Sequence, residues 1–193
     1  IAMGVLQCLY NAADMVVAGK FAGSQALAAV GSTGSLVNLV VALFIGISLG
    51  VNVTVARYFG ARDFDAVADT VHTAMLFSVI SGVAIGIFGF CMARTFLEWM
   101  GSPEDVIDLA AQYLMIYFAG LPALMIYNYG AGILRAVGDT KRPLYYLIIS
   151  GALNVVLNLV TVICFDMGVA GVAYATVASE VLSAVLVVNC LMH

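Results

Sequence analysis

The 193-residue chain is 64% hydrophobic and only 9% charged, with a mean hydropathy of +1.10. That balance excludes a water-soluble globule, because too little polar surface exists to cover one, and a net charge of −4 offers no basic face for a nucleic-acid partner. Near-continuous apolar segments separated by short polar clusters indicate membrane-spanning helices; barrel strands would alternate apolar with polar residues.

Six spans are expected in chain order, making an all-α membrane protein, a six-transmembrane-helix bundle, over residues 1–193. The first covers residues 1–21 and contains Asp14. The second, 27–57, contains Gly46-Ile47-Ser48-Leu49-Gly50, which has the GxSxG form of a hydrolase nucleophile elbow. An elbow needs a strand-to-helix turn and a histidine partner. Here the string lies inside a helix, and the two histidines, His72 and His193, lie near a helix end and at the chain end. Gly46 and Gly50 therefore read as a close helix-packing face. In the following turn Gly60 ends one helix and Asp63 caps the next. The third span, 66–97, has a similar packing face in Ser78, Gly82 and Gly86. The fourth, 106–135, contains Tyr113, Tyr117, Tyr127 and Asn128, with Pro122 placed to kink it. Gly138 ends that helix and Pro143 opens the fifth span, 143–165. The sixth, 169–191, contains Glu180.

Of the basic residues, Arg57, Arg62, Arg135, Lys141 and Arg142 flank the connections between spans two and three and spans four and five, against Lys20 and Arg94 at the other side. The positive-inside rule then places those connections and the N-terminus in the cytoplasm. The acidic cluster Glu98, Glu104, Asp105 and Asp108 faces outward. Cys8, Cys91, Cys164 and Cys190 stand singly in apolar runs without CxxC spacing and read as buried thiols. No cleavable signal peptide is recognised, because Ile1 already lies in an apolar segment without a charged region before it. Both ends read as cut.

Asp14 and Glu180 are the exceptional residues. An ionised side chain at bilayer depth costs ~2.5–3.5 kcal/mol on the mildest scale, and such residues mark ion or substrate paths.

Four segments, YNAADMVVAGKFAGSQALAAVG (Tyr10 to Gly31), ARYFGARDFDAVADTVHTA (Ala56 to Ala74), ILRAVGDTKRP (Ile133 to Pro143) and GVAGVAYATVASE (Gly168 to Glu180), together resemble the multidrug and toxic compound extrusion (MATE) transporters, most closely their bacterial branches. The resemblance implies a twelve-helix cation-coupled antiporter of two six-helix lobes, rocking about a central cavity in the cytoplasmic membrane. This chain would be the N-terminal lobe, with the C-terminal lobe absent, and would act without a cofactor. The substrates implied are amphipathic organic cations, which suit aromatic and methionine walls.

By the same resemblance, Asp14, Asn154 and Thr176 match the family's N-lobe cation site, and Asn158 stands where many members carry a second aspartate. Counting ~1.5 Å per residue from each helix's outer end puts Asp14, Asn158 and Thr176 on one level, with Asn154 and Glu180 one turn deeper. Na⁺ held by Asp14, Asn154 and Thr176 is one expectation. Loss of the second carboxylate favours H⁺ instead, taken up and released by Asp14. Glu180 either replaces the missing acid or is a glutamic acid hydrogen-bonded between helices or facing the cavity. Tyr113, by its family position, and Asn128, by its polarity and level, are the cavity candidates, with interhelical hydrogen bonding the alternative for Asn128. A lipid-linked sugar flippase of the same superfamily would need basic side chains at mid-depth, which the chain lacks. An intramembrane hydrolase lacks its histidine or HExxH site, and nothing resembles a channel filter.

Overall fold

Capping chemistry and glycine stops set the helix ends in the computed structural model, which describes residues 2–193 apart from the side chains of residues 2–4 and 7. Ile1, where the first expected span begins, lies outside the described residues. Helix α1 (Ala2–Val17) continues as a π-helical turn (Ala18–Ala22) and stops at Gly23, whose φ of 97° is open to glycine and strained for other residues. Helices α2 (Ser24–Gly60) and α3 (Phe64–Trp99) follow. Arg62 between them takes the left-handed conformation at φ 59°, and the Asp63 side chain accepts the Ala66 N–H at 3.1 Å, as a capping residue should.

The fourth span breaks into α4 (Glu104–Ala119) and α5 (Leu121–Ala136), bent by 50° at Gly120 with Pro122 in the first turn beyond. The proline supplies no N–H at a place where the ladder is already interrupted. Helix α6 (Lys141–Leu159) starts two residues before Pro143 and runs into a second π-helical turn (Val160–Cys164), and α7 (Gly168–Met192) closes the chain. By length and apolarity α2, α3, α6 with its π turn, and α7 can each cross a membrane, and the bent α4–α5 pair makes a fifth span. Helix α1 with its π turn forms the remaining segment of the six-part bundle.

The main core lies among α2, α3, α4 and α5, with Phe44, Leu97, Leu114, Leu121, Met125 and Tyr129 fully buried. Large apolar side chains such as Leu39, Leu43, Ile87, Phe88 and Val185 point outward, which suits a lipid solvent that rewards packing but does not drive burial. The expected packing face of α3 holds. A methyl at Gly82 would meet Pro122 Cα at 2.8 Å and one at Gly86 would meet Phe118 O at 2.7 Å, so α3 lies directly against the α4–α5 break. The expected face at Gly46 and Gly50 does not form within this chain. Both are exposed with nothing within 4 Å of an added methyl, and Ser48 bonds back to Ile45 O at 2.8 Å. The thiols also depart from expectation: Cys8, Cys91 and Cys164 are exposed and Cys190 partly so. An apolar run facing lipid has the same composition as one facing a core.

Candidate functional site

Asp14 is presented by α1 one turn before its π-helical end, and Asn158 sits on α6 just before the second π turn. These π turns widen both helices immediately beside the polar residues, a placement common at functional sites. The α6 π turn is tied to α7, because the Thr161 hydroxyl is shared between Leu157 O at 2.8 Å and Gly171 O at 3.0 Å. Below the site Tyr10 donates to Leu147 O, and its ring fills the space that a side chain at position 151 would need. Gly151 therefore permits the close approach of α1 to α6.

Four of the expected site residues form one network. Asn158 Nδ2 donates to Asp14 Oδ1 and also to Asn154 Oδ1, the latter at 3.1 Å. The Thr176 hydroxyl lies 3.2 Å from Asp14 Oδ2 and 3.0 Å from Val172 O, and Asn154 Nδ2 donates to Thr176 Oγ1 at 3.4 Å. Asp14, Asn154 and Asn158 are only 5%, 4% and 0% exposed. Three helices thus converge on one carboxylate, and the two expected levels merge at Asn154. Asn158 Oδ1 remains a buried acceptor without a hydrogen-bond partner among the described residues.

Asp14, Asn154, Thr176 and Glu180 share the wall of a cavity of about 470 Å³, together with Tyr113 and Tyr117. The two tyrosine rings stack with centroids 6.3 Å apart and an interplanar angle of 18°. Glu180 stands outside the Asp14 network, its Oε2 enclosed without a partner among the described residues. Asn128 is not among the lining residues; its Nδ2 donates to Leu124 O at 2.9 Å, within its own helix. Asn11, Asn38 and Tyr10 also line the cavity and were passed over in the sequence. Asn11 lies three residues before Asp14, on the same helical face, and Asn38 interrupts the apolar run LVNLVV. Those were the signals available. Among the described residues no three His, Cys, Asp or Glu side chains gather as a metal site.

A bundle of apolar helices around a cavity, with an acid held at its centre by side chains from other helices, defines a polytopic membrane protein with a buried polar site. The family model described as MatE matches residues 1–160, and the chain belongs to that family. It is 33% identical over 181 residues to the probable multidrug resistance protein YoeA of Bacillus subtilis, covering 92% of this chain and 39% of that protein. It is 25% identical over 163 residues to a FAD transporter of Shewanella oneidensis, covering 81% of this chain and 36% of that one. A crystal structure of MATE in the bent conformation superimposes with a TM-score of 0.91 at 31% identity, over 98% of this chain and 43% of that chain. The chain therefore spans about two fifths of the length of these relatives.

Proposed function

We propose that this chain is the N-terminal lobe of a two-lobe, cation-coupled antiporter that exports amphipathic organic cations across the cytoplasmic membrane, with its N-terminus in the cytoplasm. The observation that carries the reading is Asp14, a carboxylate buried at the wall of a cavity and held by Asn158 and Thr176. Asn154 supports that network, and Tyr113 lines the space beside it. The likeness to a probable multidrug resistance protein of B. subtilis and to MATE structures agrees with export.

The coupling ion in this reading is H⁺. An amide carries both a donor and an acceptor, so Asn158 can donate to ionised Asp14 and, with its free Oδ1 turned, accept from the protonated acid. A carboxylate at that position would serve a metal cation better. Na⁺ at Asp14, Asn154 and Thr176 is the alternative. Protonation of Asp14 removes the charge that opposes closure of an apolar lobe, which couples ion uptake to a change of shape.

The lining residues include two carboxylates and no Lys, Arg or His among the described residues, an electrostatic setting that repels the pyrophosphate of a lipid-linked sugar or of FAD. The test is efflux of a fluorescent organic cation from proteoliposomes containing the complete two-lobe protein, driven in turn by a pH gradient and a Na⁺ gradient. Efflux driven by the pH gradient supports the reading, and indifference to both gradients contradicts it.

A further inference from the structure

We infer that Glu180 holds the charged end of the organic cation, against the wall formed by Tyr113 and Tyr117, and that the coupling ion is left to Asp14. The assignment rests on the organic-cation reading above and goes beyond it by dividing the two cavity acids between two ligands.

The two carboxylates have different surroundings. Asp14 is enclosed by donors, one to each oxygen, from Asn158 and Thr176. Glu180 lines the same cavity, yet its Oε2 has no hydrogen-bond partner among the described residues. A carboxylate that lines a cavity with one oxygen enclosed and unpartnered is costly in the interior of a bundle, and a ligand that brings the opposite charge relieves that cost.

The neighbouring groups decide between a small metal cation and an organic one. A hard cation needs several converging oxygens. Among the described residues no three His, Cys, Asp or Glu side chains gather around Glu180, and the hydroxyls nearest it on its helix donate to α7 carbonyls and not to its carboxylate, Ser179 to Ala175 O at 2.8 Å and Ser183 to Glu180 O at 2.9 Å. What the cavity offers beside Glu180 is aromatic surface: the stacked rings of Tyr113 and Tyr117. A carboxylate and aromatic rings on the wall of one cavity are the recognition chemistry of a weakly hydrated quaternary ammonium or phosphonium ion. A cavity of about 470 Å³ is within the size range of drug-sized ligands.

The experiment measures equilibrium binding of radiolabelled tetraphenylphosphonium to the purified full-length protein at fixed pH without Na⁺. Triphenylphosphine oxide serves as the neutral analogue. Glu180→Gln is expected to weaken phosphonium binding by about tenfold or more while leaving the neutral analogue within about twofold, and Glu180→Asp to recover most of the affinity. Phosphonium affinity unchanged in Glu180→Gln overturns the assignment, as does a variant that keeps the affinity but loses gradient coupling. If Glu180→Gln does not fold, Tyr117→Leu reads the same wall. A loss selective for the phosphonium ion supports the inference, and equal losses for both probes overturn it. Failure of the unsubstituted protein to bind tetraphenylphosphonium would instead remove the organic-cation reading itself, so the two failures are distinguishable.

Discussion

In the proposed antiport Asn158 occupies the position on which the choice of coupling ion turns. It is fully buried, bridges Asp14 to Asn154, and keeps one acceptor free. Replacing it by aspartate puts a second negative charge beside Asp14, which suits Na⁺ through its ligand count and charge. Asn158→Asp is therefore expected to make efflux respond to Na⁺ at least about tenfold more sensitively than the unsubstituted protein, measured as initial rate against Na⁺ concentration at constant pH. An unchanged Na⁺ response would mean that Asn158 does not set the ion. Counting helical rise puts this residue, Asp14 and Thr176 on one level, and their side chains meet in one network although the counted stretches of α1 and α6 each include a π turn. Asn154 was placed one turn deeper by the same count, and its side chain reaches up to Asn158 and Thr176 all the same. Distance along an axis does not include side-chain reach.

At the scale of elements, the site depends on how closely α1 approaches α6. Tyr10 fills the space at Gly151, and its hydroxyl ties the two helices through Leu147 O. Gly151→Ala is expected to destabilise the protein by about 1–3 kcal/mol, as overpacking does, and to loosen the Asp14 network one turn above Tyr10. Gly34→Ala, with nothing within 4 Å of the added methyl, is the matched control and should leave the melting temperature in detergent nearly unchanged. Equal melting temperatures for both variants would show that the α1–α6 contact is not restrictive. The helix ends were readable because their causes are local: the Asp63 cap, the positive φ at Gly138 and the proline beyond Gly120. The two π turns were not. They arise where α1 and α6 run against neighbouring helices, and no residue type in AGKFA or VTVIC signals them. The outward faces of Gly46, Gly50 and the cysteines were hidden for a related reason. In lipid, hydropathy does not separate the outside of a bundle from its inside.

The whole molecule is organised by which end of each helix meets which side of the membrane. At one end Arg94 joins α3 to α4 through Asp108 at 2.9 Å and also meets Glu98 at 3.3 Å, both exposed pairs of small energetic weight. At the other, Arg142 contacts Asp139 at 3.2 Å and the Cys190 thiol at 3.3 Å, drawing the α5–α6 turn to the end of α7. The proposed orientation puts this second end in the cytoplasm. In a protein freed of its native cysteines, Asp105→Cys is expected to react with a membrane-impermeant maleimide in intact cells, and Asp65→Cys only after permeabilisation. The opposite pattern would invert the orientation.

The proposed coupling of ion movement to export through Asp14 is tested most directly by gradient-driven efflux from proteoliposomes of the full-length protein carrying Asp14→Asn. The variant is expected to fold, still bind an organic cation, and show no acceleration of efflux by a pH or Na⁺ gradient. Gradient-driven efflux at the unsubstituted rate would contradict it and leave Asp14 as a structural acid whose hydrogen bonds hold α1, α6 and α7 together.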